Sequence, residues 1–421
     1  MVPPGEAGWL VPGLEVSLGL ALTLQVLAWM LAGAFLGSLS GLVPGLHANN
    51  FALLLAGLAA SVPGPPLFVG VAMLTAGVVH TFLNAVPALA LGVPDAEMAM
   101  TALPGHRMVL EGRGQEALRL SAVGSLLAIL IAMPLAIPVT LAVTAVYPTI
   151  RAHISLVLGL VVFALIVSEP TTRARFGGAL SFLLAAILGL YTLDLTPAAP
   201  LDAGGMLAPI FAGLFGAPFL IDAMRGGGVP TQTDDAIAMP RWLLGLTALA
   251  GTVAGAIVGY LPAISAAIAA VAVLVLIPGG AEDRGYIVAT SGVDTANAVF
   301  ALFALLAIGQ PRSGIMVAFE EVQAPLELPM LLAAVLGGGL VGFVLVIVVG
   351  DWYLRVVGRL DYWRVSVVVL GLLLVLSLLF TGPIGVGVFA VATVIGLVPV
   401  RFGARRVHLM GVLMGPLLVG S

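Results

Sequence analysis

One acid stands out among the residues able to do chemistry. Asp294 lies inside the apolar run "TSGVDTANAVFALFALLAIGQP", flanked by Thr290, Ser291, Thr295 and Asn297. An acid in such a run is costly to bury and marks an ion path, a proton relay or a paired site. Hydroxyls, amides and freed carbonyls are hard oxygen ligands, suited to a cation such as Na⁺; the same groups hydrogen-bond a carboxylate. Asp294, Thr290, Ser291, Thr295 and Asn297 are therefore the expected ion-binding or coupling group, with Na⁺ or H⁺ as the ion. A second polar set, His80, Thr81 and Asn84, interrupts "TAGVVHTFLNAVPALALGVP". A third lies in "GSLSGLVPGLHANNFALLL", where Gly41, Pro44, Gly45, His47, Asn49 and Asn50 cluster. Pro44 lacks an N–H and breaks a continuing helix, and Gly45 lets the chain turn. A helix restarting near His47 would direct free N–H groups at an anion. Pro262 and Ser265 would build the matching tip elsewhere. The expected substrate-binding set is Gly41, Pro44, Gly45, His47, Asn49, Asn50, His80, Asn84, Pro262 and Ser265.

The elements that must position these residues are hydrophobic almost throughout. The chain is 61% hydrophobic and 9% charged, against about a quarter charged in an ordinary soluble domain. Its apolar runs, many of roughly 17–25 residues, suffice to cross a bilayer as helices. Alternating strands of a transmembrane barrel are not evident. The expectation is an all-α polytopic membrane protein of the cell membrane, with no cleavable signal peptide at its start. Cysteine is absent, which excludes disulfides, thiolate metal sites and cysteine nucleophiles. A net charge of −4 gives no nucleic-acid footprint. With no paired carboxylates, H-E-x-x-H, G-x-S-x-G or P-loop, neither an enzyme nor an ATP-driven pump is expected, and no cofactor.

The chain repeats itself. Gly33, Gly37, Gly41 and Pro44 share their spacing with Gly251, Gly255, Gly259 and Pro262, 218 residues on. The runs from Thr75 and from Thr290 form a second, gapped correspondence. Residues 1–14 form an N-terminal segment, 15–224 a first membrane repeat, 225–241 a polar Gly/Pro linker and 242–421 a second repeat. Each repeat holds about seven hydrophobic segments, and the charged stretches 95–111 and 310–323 read as amphipathic helices at the interface. Seven is odd, so the second repeat would be inverted relative to the first, with broken or re-entrant helices at the midplane. If every segment crosses, fourteen of the sixteen arginines share one side and only Arg151 and Arg312 face the other. The positive-inside rule then places both termini outside the cytoplasm. Inverted repeats with interrupted helices are a recurring transporter design.

Four stretches carry a resemblance: "GLVPGLHANN", "TAGVVHTFLNAVPALALGVPD", "GGMLAPIFAGLFGAPFLID" and "GLVPVRFGARRVHLMGVLMGPLL". Together they resemble the TctA permease family of tripartite tricarboxylate transporters, most closely its compact archaeal-type members. The resemblance implies an ion-driven permease for carboxylates such as citrate. It also implies a small membrane subunit and an extracytoplasmic binding protein as partners, with self-association open. It carries Gly41, Pro44 and Gly45 over as a substrate-site tip and Pro262 as the second. The leading expectation is a secondary transporter for a di- or tricarboxylate. The alternative is a translocase of a polyprenyl-phosphate-type lipid carrier, whose head group would suit the same tips.

Overall fold

The computed structural model describes residues 19–44, 51–52, 55, 64–92, 102–200, 205–224, 230–233, 236–260, 269, 283–359 and 361–420. Among these residues the regular structure is helical throughout. The helices of the first half are α1 (Leu20–Gly41), α2 (Pro66–Leu83), α3 (Ala85–Leu91), α4 (Ala102–Leu110), α5 (Gly114–Ala152), α6 (Ile154–Val167) and α7 (Thr172–Thr192). Then come α8 (Leu207–Phe211), a π turn over Ala212–Gly216, and α9 (Ala217–Ala223). The second half holds α10 (Arg241–Tyr260), α11 (Asp283–Ile308), α12 (Gly314–Glu321), α13 (Leu328–Val357), α14 (Tyr362–Gly396) and α15 (Val398–Phe402). A 3₁₀ turn, Arg406–Met410, leads into α16 (Gly411–Val419).

Eight helical stretches among the described residues are long and apolar enough to cross a membrane, and three shorter apolar helices accompany them. Large apolar side chains such as Leu31, Phe35, Phe163, Val368 and Val394 stay exposed on the outer faces. In water such a surface would be a liability; in a bilayer it is the lipid-facing side. The protein is a multi-pass membrane protein. Residues 362–396, long enough for two hydrophobic segments, form one helix, α14, kinked at Gly382. Gly382 adopts φ 63°, and a Cβ there would press on the Ala198 carbonyl oxygen. Only glycine satisfies both demands, and Pro383 withholds the N–H that would continue the ladder.

The spaced glycines are packing residues. A Cβ on Gly33 or Gly37 would run into the carbonyl oxygens of Ala72 and Ala76, so α1 lies backbone-to-backbone on α2. Gly251 and Gly255 meet the carbonyls of Ala289 and Val293 in the same way, seating α10 on α11. Gly41 faces Leu83, and Gly259 faces Phe300. Small residues allow this close approach where lipid supplies no hydrophobic drive between helices. The matched contacts share a spacing. Ala72 with Ala289, Ala76 with Val293 and Leu83 with Phe300 all differ by 217, one less than the 218 of the glycines they meet.

Contacts between the halves also come in matched pairs. Helix α2 packs on α13, and α11 packs on α5; α12 packs on α2, and α4 on α11. Gly189 of α7 abuts the Val412 carbonyl of α16, while Gly396 of α14 abuts the Leu214 carbonyl of the π turn. Gly411 abuts the Phe182 carbonyl, and Gly213 that of Phe389. The differences agree: 207 for Gly189/Gly396 and for Phe182/Phe389, 198 for Leu214/Val412 and for Gly213/Gly411. Each half donates to the other what it receives.

Candidate functional site

The two polar-broken runs become the two central helices. Of the most apolar stretch of each span, 89% is buried in Pro66–Leu91 and 72% in Asp283–Ile308, against 17–44% in the other six. The residues expected to carry chemistry therefore sit inside protein, shielded from lipid.

A break in the first central helix places Asn84. Helix α2 ends at Leu83 and α3 starts at Ala85, with Asn84 between them. Pro87 has no N–H to offer the Leu83 carbonyl four residues back, which is where the ladder fails. Asn84 donates from Nδ2 to Asp294 Oδ2 at 3.3 Å, joining the two central helices. Asp294 is 2% exposed and Asn84 5%. One turn before Asn84, the fully buried His80 pairs through Nδ1 with Ser40 Oγ of α1 at 2.9 Å and stacks on Phe51 at 5.6 Å. A Cβ on Gly41 would lie 3.0 Å from the His80 carbonyl oxygen and 3.2 Å from the Asn84 nitrogen. Gly41 thus holds the end of α1 against this polar turn, and Pro44 follows in a buried turn.

The remaining expected ion-binding residues divide. Asp294 and Asn297 line a cavity of about 30 Å³ between the central helices, joined there by Thr81 and Ser313. Thr290 donates to the Tyr286 carbonyl of its own helix at 2.8 Å. Thr295 donates to the Ser291 carbonyl at 3.0 Å, and Ser291 Oγ pairs with Ser121 Oγ of α5 at 2.8 Å. Ser125 donates to the Ser291 carbonyl at 3.1 Å. Thr290, Ser291 and Thr295 do not line the cavity; their hydroxyls serve helix contacts. Gly45, His47, Asn49, Asn50, Pro262 and Ser265 lie outside the described residues.

Sequence reasoning missed Ser40, Ser121, Ser125 and Ser313 as partners, and Pro87 as the cause of the break. Pro87 was legible, since a proline three residues after an asparagine in an apolar run signals a break. The serines were not, because nothing in their local sequence separates a helix-bonding hydroxyl from one that reaches another helix.

Two further charged clusters tie the halves together near helix ends. Glu116, fully buried, takes Arg284 Nε at 2.7 Å, the Ala238 backbone N–H at 2.9 Å, and a close ion pair from Arg113. Glu169, 1% exposed, takes His408 Nε2 at 2.8 Å, and the Arg405 backbone N–H and Nε at 3.1 and 2.9 Å. Burial pushes the Glu169 carboxyl upward, but the bonds from Arg405 and His408 outweigh it and hold the group below the usual range.

A helical membrane protein whose two most buried helices carry a bridged acid–amide pair and a small polar cavity belongs to the class of polytopic transporters. The model of the tripartite tricarboxylate transporter TctA family matches residues 27–411, and the chain belongs to that family. It is a membrane transporter and not an enzyme. It is similar to an uncharacterized protein of Methanocaldococcus jannaschii, 27% identical over 409 residues, covering 93% of this chain and 98% of the relative. No solved structure matches.

Proposed function

We propose that the chain is the permease of a tripartite uptake system and carries a di- or tricarboxylate across the cell membrane, driven by Na⁺ or H⁺. The observation that carries this reading is the Asn84–Asp294 bridge between the two central helices, beside a polar cavity. An intramembrane acid held by a neutral amide can exchange its ion, whereas a saturated ion pair is committed.

The matched contacts of the two halves favour inverted repeats, divided near the linker at 225–241. They suit a carrier whose site lies where the repeats meet. Arginines assigned to one side also share contacts: Arg113 and Arg284 meet on Glu116, and Arg173 donates to the Arg401 carbonyl. Arg312, assigned to the other side, stacks on Tyr147, four residues before Arg151. This favours the arginine-rich side as cytoplasmic and both termini outside. The anion's path runs past Gly41, Pro44, His80 and Asn84, and Gly45, His47, Asn49, Asn50, Pro262 and Ser265 stay in the proposed substrate set on their sequence pattern alone. The family's tripartite organisation supports a small membrane subunit and an extracytoplasmic binding protein as partners.

The test is uptake of labelled di- and tricarboxylates into proteoliposomes under imposed Na⁺ or proton gradients, with the partner subunits supplied. The expected result is gradient-driven uptake that Asp294→Asn abolishes. Uptake of none of them under either gradient overturns the carboxylate reading; movement of a polyprenyl-phosphate lipid in the same vesicles would replace it with the lipid-carrier function.

A further inference from the structure

The cavity between the central helices has the lining of an ion site. About 30 Å³ is room for one to a few water-sized occupants. Its polar lining consists of Thr81, Asp294, Asn297 and Ser313; the rest is apolar. From these observations we infer that it binds one Na⁺ per chain. The inference rests on the transport reading for its role, while the binding itself is testable without transport.

The donor atoms choose the ion. All four polar side chains present oxygen, and none offers a sulfur or an imidazole, which turns the site away from transition metals. One carboxylate matches the charge of a monovalent cation; calcium sites gather more oxygen ligands, usually with several carboxylates. Asn297 Oδ1 is buried without a hydrogen-bond partner, a cost that folding leaves in place unless something binds there. Thr81 spends its proton on the Val78 carbonyl at 2.8 Å, which leaves its oxygen lone pairs available. Ser313 instead accepts from the Met316 N–H at 3.4 Å, capping α12 at the cavity wall and keeping a second lone pair. Asn84 donates to Asp294 Oδ2, so the carboxyl group presents acceptor oxygen here. A proton carrier would need the acid alone. The amide oxygen and hydroxyls arranged round the same small space are what a dehydrated cation needs.

The repeat explains why there is one such site and not two. In the 217-residue register Asp294 corresponds to Gly77, which lines the same cavity, and Thr81 corresponds to Ala298. The second half supplies the acid and the first half supplies the space. A side chain at Gly77 would strike Ile315, so the first half has no room for a second acid there.

The experiment uses the full chain, purified and reconstituted in nanodiscs. Equilibrium binding of radioactive sodium is measured, together with the thermal unfolding midpoint in sodium chloride and in choline chloride at equal ionic strength. Saturable binding of one Na⁺ per chain and a sodium-dependent rise in midpoint are expected. Asp294→Asn abolishes both; Asn297→Ala and Thr81→Val each weaken affinity about tenfold or more. Thr247→Val, which removes a buried hydroxyl bonded to its own helix, leaves affinity unchanged. Identical midpoints in the two salts with no saturable binding overturn the inference. So does wild-type affinity in both Asn297→Ala and Thr81→Val, a result readable even where Asp294→Asn fails to fold. Proton-driven carboxylate uptake without sodium binding overturns the site and leaves the transport reading standing. Sodium binding without carboxylate uptake does the reverse.

Discussion

The central pair of helices and the charged clusters at the helix ends bury acids in opposite ways. Glu116 is met by two arginines and a backbone N–H, and Glu169 by an arginine, a histidine and a backbone N–H. Each takes three donors, at least one of them from an arginine. Asp294 is bridged by a neutral amide, and its wall includes an amide oxygen with no partner. These clusters hold two pieces of chain in register: the Gly112–Glu116 turn with the linker at Gln232, Thr233 and Ala238, or the loop at Glu169 with the turn at Arg405. The central pair instead faces a small polar cavity, with Asn297 Oδ1 unbonded in its wall. Position within the fold follows the same division. The two glutamates sit beside helix ends, where polar backbone is available, and Asp294 sits mid-helix, where it is not.

The sharpest way to break this comparison is to remove one acid of each kind. Glu116→Ala strands two arginines and is expected to cost about 3 kcal/mol or more of stability, as when a buried pair loses one partner. Asp294→Asn is expected to change stability in choline chloride by less than about 1 kcal/mol, since an amide can still pair with Asn84. Denaturant unfolding of both variants reads this directly, and equal losses would dissolve the distinction. A smaller effect sharpens the central site. Asn84→Ala removes the bridge and is expected to slow uptake by about tenfold or more while leaving the protein folded; uptake rates in proteoliposomes decide it. The smallest effect concerns acid. Because the folded state holds the Glu169 carboxyl below its ordinary value near 4.5, its contribution is present above that range. It is lost as pH falls through the lower folded value. The unfolding midpoint of the wild type should therefore drop on acidification below pH 4.5 more steeply than that of Glu169→Gln.

Much of the fold was legible because membrane helices announce themselves by composition. Among the described residues the apolar runs became helices, and the two polar-broken runs became the buried pair. Gly33, Gly37, Gly251 and Gly255 could be read as close-packing positions from type and spacing alone, yet their partners could not. The correspondence of Ala72 with Ala289 is a property of two helix contacts, which the sequence does not display. Half of the site was legible on the same terms. Asp294, Asn297, His80 and Asn84 stood out as polar groups in apolar runs. Thr290, Ser291 and Thr295 stood out equally and turn to helix contacts, since a hydroxyl in a helix can always return its proton to a carbonyl three or four residues back.

The sequence by itself determined that this chain lives in a bilayer, that its spaced glycines recur in both halves and that an acid, Asp294, interrupts an apolar run of the second. Those properties are carried by residue type and by period, which survive without coordinates. Only the tertiary structure decided that Asn84 meets Asp294, that Thr81 and Ser313 join the same small cavity, and that Gly77 stands where a symmetric acid would be. The reason is physical. Helices in lipid are sorted by close backbone approach and by the pairing of the few polar groups they carry, and neither depends on distance along the chain.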